Sequence, residues 1–344
     1  MKAIQLSPSH SLDIPNSFSD VEIQDPTPGS RDLLVRVKAI SINPVDTQVR
    51  EAMPRTESVP LILGWDVAGV VEAVGSQCNL FRPGDAVYYA GDWKRPGAYS
   101  ELHVVDERLV GAKPQLLDFA QAAALPLTTI TAWEGLFERL LIPLDPQANR
   151  GKSILLINAA GGVGSIATQL AHWAGLTVIG TASRSTSIQW VKEHGAAYAV
   201  NHHYPLASQL QQLGFTTVDY IFCLKNTASY WEAMAEVIAP QGKIGLIDRT
   251  EQLLDLTALQ SKSVTVAWEG MFTRSEFQTA DMQKQHDLLN RVAELIDAKV
   301  IRTTLTERLS PITASNVLEA HRKVKQGSLI GKLVLEHFPP STSK

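Results

Sequence analysis

Cysteine is nearly absent: Cys78 and Cys223 are the only two in 344 residues, too few for a disulfide framework or a four-thiolate metal site. A reducing, cytoplasmic setting is the simpler expectation. Charge of one sign is also scarce. The formal net charge of -4 leaves no basic footprint for nucleic acid or an anionic membrane. No apolar run is long enough to cross a bilayer. The N-terminus, Met1 to Ser7, enters a strand-like stretch where a signal peptide would carry its apolar run. Internal repeats and low-complexity blocks are missing, and Pro339 to Lys344 reads as a frayed tail. What remains is an ordinary globular composition, 44% hydrophobic and 19% charged, with length for two modest domains.

The first third is rich in short β-type segments. Leu33 to Ile40, Val67 to Val74, Ala86 to Tyr89 and Tyr99 to Val104 read as strands, punctuated by Gly64, Gly69, Gly75, Pro83-Gly84 and Pro96-Gly97. From Gly151 the rhythm changes to alternating strand and helix. Strands are expected at 153–158, 177–181, 218–224, 243–247 and 264–268, with helices at 163–173, 187–194 and 230–238. That alternation predicts an α/β fold with a doubly wound parallel sheet. Past Trp268, Leu288, Leu289, Val292, Leu295 and Ile296 share one helical face, and a second helix is expected over 314–325. A last strand, Leu333 to Leu335, does not extend the nucleotide sheet naturally. Its return to the first domain would make that domain discontinuous in sequence.

The turn Asn158-Ala-Ala-Gly-Gly-Val-Gly164 lies between an expected strand and an expected helix, the context that gives a glycine fingerprint meaning. Measured against G-x-G-x-x-G, Ala159 takes the first glycine place, while Gly161 and Gly164 hold the other two. Gly161 would let backbone approach a pyrophosphate, and Gly164 would let helix pack close to strand. Ala160, Gly161, Gly162, Val163 and Gly164 are therefore the expected dinucleotide cradle, at a helix N-terminus that favours anions. A tight strand-to-helix turn without a ligand is the competing account.

One further absence bears on the cofactor. No Asp or Glu occurs between Asp145 and Glu193, whereas NAD-binding sheets place an acid after the second strand to accept from the ribose 2′-OH. Ser183 and Arg184 stand there instead. A guanidinium and hydroxyls suit a 2′-phosphate, which predicts NADPH; an ordinary solvated arginine is the alternative. His202, after the next short strand, is a further candidate at the adenosine phosphate. With His203 it should point to opposite strand faces, a poor chelating arrangement.

Several separate stretches resemble the medium-chain dehydrogenase/reductase superfamily over nearly the whole chain. They are Ser41 to Thr47, Gly64 to Gly69 with Val74-Gly75, Phe81 to Asp85, Leu125 to Trp133, Ala159 to Gly164 and Gly331 to Leu335. The resemblance implies a partly open, GroES-like β-rich catalytic domain over 1–127 and 269–344. A Rossmann-type nucleotide domain over 128–268 would be inserted into it, with the active site in the cleft between them. Zinc enzymes of this superfamily carry a Cys, then Gly-His-Glu, then a second Cys or Asp. The matching positions here are Asn43, then Trp65 and Asp66, then a residue near Leu127 or Thr128. Thiolate and imidazole are the ligands zinc wants, so no metal is expected.

The stretch Asn43-Pro44-Val45-Asp46-Thr47 is similar to the metal-free quinone oxidoreductase branch, although Gln48 stands where many members have tyrosine. Trp268 to Ser275 resembles a subgroup named zinc-type alcohol dehydrogenase-like. Family analogy implies Asn43, Asp46 and Thr128 as catalytic groups, and Leu224, Phe272 and Thr273 beside the cofactor. Without zinc to polarise a plain carbonyl, quinones and α,β-unsaturated carbonyls become the expected acceptors, with solvent as proton source. A homodimer through the edge strand at 264–268 follows by the same analogy. Asp46 and Arg50 either order the loop, as an ion pair, or serve as capping and salt-bridge residues. Tyr88 and Tyr89 either line the acceptor cleft or pack. A 2-enoyl thioester reductase, an NADPH-binding protein with structural or sensing duties, and a zinc-type alcohol dehydrogenase are the competing functions.

Overall fold

The computed structural model describes residues 1–7, 17–52 and 61–340. The tail expectation falls partly outside this range, at 341–344. Its first residues are tied down, because the Lys2 ammonium donates to the carbonyls of Pro339 and Pro340 at 2.6 and 2.8 Å.

In chain order the first stretch contains β1 (Lys2–Leu6), β2 (Phe18–Glu22), β3 (Asp32–Ser41), α1 (Pro44–Ala52), β4 (Val67–Val74), β5 (Ala86–Tyr89), β6 (Leu102–Asp106), β7 (Val110–Ala112) and α2 (Phe119–Ala123). The middle contains α3 (Pro126–Trp133), β8 (Ser153–Ile157), α4 (Gly162–Trp173), β9 (Thr177–Thr181), α5 (Ser185–Glu193), β10 (Tyr198–Val200), α6 (Leu206–Gln212), β11 (Val218–Cys223), α7 (Thr227–Val237), β12 (Ile238–Leu246) and β13 (Thr265–Trp268). The last stretch contains α8 (Thr273–Glu276), α9 (Lys284–Asp297), β14 (Leu305–Leu309), α10 (Ala314–Gln326) and β15 (Lys332–Glu336). Two compact units result: Met1–Leu127 with Phe272–Lys344, and Thr128–Met271. Among the described residues no helix is long and apolar enough to cross a membrane.

The first unit is built on a sheet ordered β14-β15-β3-β4-β5-β7, with β6 also pairing β3. Period-two alternation makes β3 its centre: Leu33, Val35, Val37 and Ala39 are buried while Arg36 faces solvent. Two antiparallel neighbours matter for the site. Ile40 of β3 lies opposite Val67 of β4, and Ser41 lies opposite Val334 of β15. The end of β3 therefore meets the starts of both β4 and β15. Lys332, at the start of the strand that returns from the C-terminus, lands beside Asn43.

The second unit carries a six-stranded sheet ordered β10-β9-β8-β11-β12-β13, every pair parallel. Its strands are continuous apolar runs because both faces are covered; all five residues of β8 are buried. The order reverses between β8 and β11, and the carboxyl ends at such a reversal form the ligand crevice of doubly wound sheets.

Candidate active site

β8 ends at Ile157, and Asn158 turns the chain with φ +68°, a left-handed conformation that asparagine tolerates. The Asn158 N–H donates to the Thr181 hydroxyl at 2.8 Å, tying the turn to the end of β9. Gly161 is the N-cap of α4 and offers no side chain to the first helical turn. The leading N–H groups of that turn have no intrahelical partner, so they are donors for an anion. Gly164 has no room for a side chain: a Cβ there would lie 2.3 Å from the Asn158 carbonyl oxygen and 2.6 Å from the Ala159 backbone. This is the close helix-to-strand approach expected of the last fingerprint glycine.

Across the sheet reversal, Cys223 of β11 pairs with Ile157 of β8, and the N–H of buried Leu224 donates to the Ile157 carbonyl at 3.3 Å. The turn and Leu224 therefore share one rim. Ser183 and Arg184 follow the end of β9, with Arg184 exposed, and half-buried His202 follows the end of β10. These three also lie beyond carboxyl ends of adjacent strands. One detail departs from expectation: His202 and His203 sit in a turn, not on a strand, and their rings lie against each other with centroids 4.4 Å apart. Partial burial, reinforced by His203, lowers the pKa of His202.

The first unit holds a buried polar cluster where the ends of β3, β4 and β15 converge. The Asn43 amide Nδ2 donates to Asp66 Oδ2 at 3.0 Å, and the Leu127 N–H donates to Asp66 Oδ1 at 3.1 Å. The ammonium of Lys332 donates to Asn43 Oδ1 and, at 3.1 Å, to the Ile42 carbonyl. It also lies 3.2 Å from Asp66 Oδ2. Asn43, Asp66 and Lys332 are all buried. Burial raises the pKa of Asp66 and lowers that of Lys332, while each ion pulls its partner back towards the charged state.

Asp46, in the first turn of α1, accepts the Asn43 N–H at 2.7 Å. Burial lifts its pKa to about 7, against the pull of that N–H and of Lys332. Asp46 and Arg50 do not pair. Buried Arg50 bonds Glu51 at 3.1 Å instead, and its Nε and Nη1 have no hydrogen-bond partner among the described residues. Asp46 is thus a cap on the Asn43 loop, one of the two roles considered.

Trp65 precedes Asp66 and is 1% exposed, yet its indole N–H has no hydrogen-bond partner among the described residues. Gly64 sets this stretch with φ +95°, and a Cβ there would fall 2.0 Å from the Tyr99 ring. Phe272 packs edge-on against Trp65 and stacks on Trp93 at 5.7 Å. Thr273 opens α8 and is exposed. Thr128 lies in α3, in the second unit, and is buried. Tyr88 and Tyr89 are fully buried packing residues, bonded to the Leu289 carbonyl at 2.6 Å and to His103 Nδ1 at 3.1 Å.

Sequence reasoning missed two charged groups. Lys332 was visible only as part of a family stretch, although a lysine heading an apolar strand is a signal that its charge needs a partner. The other is Arg139, at the end of a π-helical turn after α3, which lies 3.5 Å from Glu134 and 3.0 Å from Glu269. It ties the end of β13 to the helix that carries Thr128.

The donor set does not fit zinc. It consists of an amide, an indole, a carboxylate with both oxygens engaged, and an ammonium, with no thiolate or imidazole among them. Among the described residues no group of three or more His, Cys, Asp or Glu could hold a metal ion. A dinucleotide does fit the other unit, where the uncapped first turn of α4 and the lack of room at Gly164 match a pyrophosphate cradle.

Burial also sets a pH response. His103 and His321 are held neutral, at about 4 and about 3, against about 6.5 when unfolded. Each contributes stability that is present above pH 6.5 and lost as pH falls towards 4. Asp46 acts in the opposite direction, because its folded pKa of about 7 lies above its unfolded value of about 3.9. Taken together, these three groups bind one more proton in the unfolded chain than in the folded one between about pH 6.5 and 4, so their combined contribution to stability falls by about 1 kcal/mol per pH unit on acidification. Thermal melts across that window should show Tm falling; a flat or rising Tm would contradict the burial of the two histidines.

Residues 29–115 match the alcohol dehydrogenase GroES-like domain, and residues 162–291 match the zinc-binding dehydrogenase domain. The chain is 42% identical to a zinc-type alcohol dehydrogenase-like protein of Staphylococcus epidermidis, over 97% of this chain and 99% of that one. A solved Rhizobium etli protein described as a candidate zinc-dependent alcohol dehydrogenase superposes with TM-score 0.93 at 45% identity, covering 98% of each chain. The quinone oxidoreductase of Pseudomonas syringae superposes with TM-score 0.81 at 26% identity, covering 97% of this chain and 99% of that one. The two units accordingly have a GroES-like and a Rossmann-type, NAD(P)-binding fold. The chain belongs to the medium-chain dehydrogenase/reductase superfamily of oxidoreductases, within the group of zinc-type alcohol dehydrogenase-like proteins.

Proposed function

We propose that the protein is an NADPH-dependent oxidoreductase that passes hydride to a quinone or other α,β-unsaturated carbonyl and uses no zinc to do so. The observation that carries this reading is the ammonium of Lys332, bonded to Asn43 and paired with Asp66. Two family zinc-ligand positions are thereby taken up by an amide and by the neighbour of an internal cation. A second cation placed there would be repelled. Without a Lewis acid, acceptors that spread incoming charge over a conjugated system are the ones that need least help.

The residues proposed to hold the cofactor are Ala160 to Gly164 at the pyrophosphate, Ser183, Arg184 and His202 at the 2′-phosphate, and Leu224, Phe272 and Thr273 towards the nicotinamide. When bound, NADPH supplies the hydride. Asn43, Asp46 and Thr128 are the proposed catalytic groups, with Asn43 as the donor to acceptor oxygen and Asp46 fixing its backbone. A reducing, cytoplasmic setting suits the two free cysteines. A homodimer through β13 suits a strand that, among the described residues, pairs only with β12 and ends in half-exposed Trp268.

Arg184→Ala is the direct test of cofactor choice. A charge-assisted contact is worth about 1.5–3 kcal/mol, so the dissociation constant for NADPH should rise roughly 10- to 150-fold while that for NADH stays nearly unchanged. Equal effects on the two would sink the 2′-phosphate assignment. Turnover with a quinone should survive exhaustive chelation, and loss of it would return zinc to consideration.

A further inference from the structure

We infer that Lys332 is a positioning residue that arms Asn43: its buried ammonium polarises the Asn43 side-chain amide, whose remaining Nδ2–H donates to the oxygen of the carbonyl acceptor. The inference rests on the hydride-transfer reading given above.

Counting donors singles out that N–H. The ammonium has three, directed to the Ile42 carbonyl at 3.1 Å, to Asn43 Oδ1, and towards Asp66 Oδ2 at 3.2 Å. None is left for a substrate. Asp66 is likewise engaged at both oxygens, by Asn43 Nδ2 at 3.0 Å and the Leu127 N–H at 3.1 Å. The Asn43 amide carries two N–H donors. One goes to Asp66, and the other has no partner among the described residues. The same amide accepts the Lys332 ammonium on its oxygen. An ammonium on the oxygen draws electron density from the amide nitrogen and makes the spare N–H a stronger donor, more so inside a buried site.

A purely structural role explains this arrangement less well. Tying β15 to the end of β3 needs only an apolar side chain, and a buried ion pair is often no more stabilising than apolar packing of the same volume. In the proposed reaction the acceptor gains a hydride and develops negative charge on its oxygen. It then takes a proton from solvent, completing a two-electron reduction. A polarised N–H stabilises that oxygen most when the acceptor itself disperses the charge least. The effect of Lys332 should therefore depend on the acceptor.

The experiment compares Lys332→Met with the unmodified full chain. Each is given NADPH and either cyclohexenone or para-benzoquinone, with the uncatalysed rate subtracted. The expected loss in kcat/KM is roughly 100-fold for cyclohexenone, in the range of losing one oxyanion donor. For para-benzoquinone the loss should be at least about tenfold smaller. Most of the change should fall on kcat, and the dissociation constant for NADPH, read by fluorescence, should not move. Equal losses for both acceptors would mark Lys332 as structural and overturn the inference. If Lys332→Met does not fold, the double variant Asp66→Asn with Lys332→Met removes both charges together. It should show the same dependence on acceptor, and equal losses there would be equally fatal. Failure of the unmodified chain to oxidise NADPH with either acceptor would overturn the hydride-transfer reading, and this inference with it.

Discussion

Asp66→Ala is expected to lower the free energy of unfolding by about 3–5 kcal/mol, the usual cost of removing one partner from a buried ion pair. The size of the effect comes from what stays behind. Asp66 is 0% exposed, and Lys332 is 4% exposed and bonded otherwise only to the neutral Ile42 and Asn43 oxygens. With the carboxylate gone, the ammonium loses its directly paired counter-ion and keeps only the electrostatic pull of Asp46, and the Leu127 N–H loses its acceptor. Glu72→Ala provides the contrast: its pairing with Arg36 lies on the exposed face of β3 and β4. Such pairs contribute about 1 kcal/mol or less.

The pH dependence of Asp66→Ala identifies the cause. Lys332 already has a lowered pKa, and losing Asp66 lowers it further. The unfolded chain then binds a proton that the folded chain does not, so stability should rise with pH as the ammonium deprotonates. Chemical unfolding of this variant at neutral and mildly alkaline pH reads both quantities. A loss near 1 kcal/mol, unchanged by pH, would mean that Lys332 escapes to solvent and that the cluster is not closed.

That cluster also shows where a sequence stops being readable. The nucleotide unit was legible because its information is local. The strand Ser153–Ile157, the turn and the helix Gly162–Trp173 follow one another directly. The apolar runs, the turn glycines and the absent acid can therefore be read within a window of some tens of residues. The sheet order then follows from the right-handed crossovers that such alternation imposes. The absence of the family's zinc-ligand residue types at Asn43 and Trp65 was readable for the same reason, since each position lies in a short motif.

What replaced them was not. Lys332 is 289 residues from Asn43, and the Tyr99 hydroxyl meets His321 Nε2 at 3.0 Å across 222 residues. No periodicity links such pairs. The first pair exists because β15 pairs antiparallel to β3 and so brings the start of one strand to the end of the other. A second local clue was chemical: Asp66 sits in the apolar stretch Leu61 to Val71, and a buried acid needs a cation. α1 was hidden for a different reason. Its apolar positions are few, and its buried residues include Asp46 and Arg50, so a search for an apolar stripe passes over it.

Gly164→Ala is expected to abolish tight NADPH binding, although alanine is the smallest possible insertion. The added Cβ would lie 2.3 Å from the Asn158 carbonyl oxygen and 2.6 Å from Cα and C of Ala159. All three atoms are backbone and cannot rotate away. Two terms oppose each other. Alanine in a helix is intrinsically better than glycine by about 1 kcal/mol. Overpacking against fixed atoms costs about 1–3 kcal/mol, occasionally more, and here all three contacts lie inside the 3.0 Å that real Cβ atoms essentially never cross. The steric term wins, and α4 must back away from the turn. That movement carries the free N–H groups of its first turn away from the place where a pyrophosphate would sit. Affinity should therefore fall further than stability does. Gly151→Ala is the control, since Gly151 has φ +81° but open space around its Cβ position. It should cost roughly 1 kcal/mol of backbone strain and leave NADPH affinity unchanged. Titration of both variants by NADPH fluorescence, alongside thermal melts, separates the two effects. A folded Gly164→Ala protein that binds NADPH as tightly as the unmodified chain would move the cofactor away from this turn.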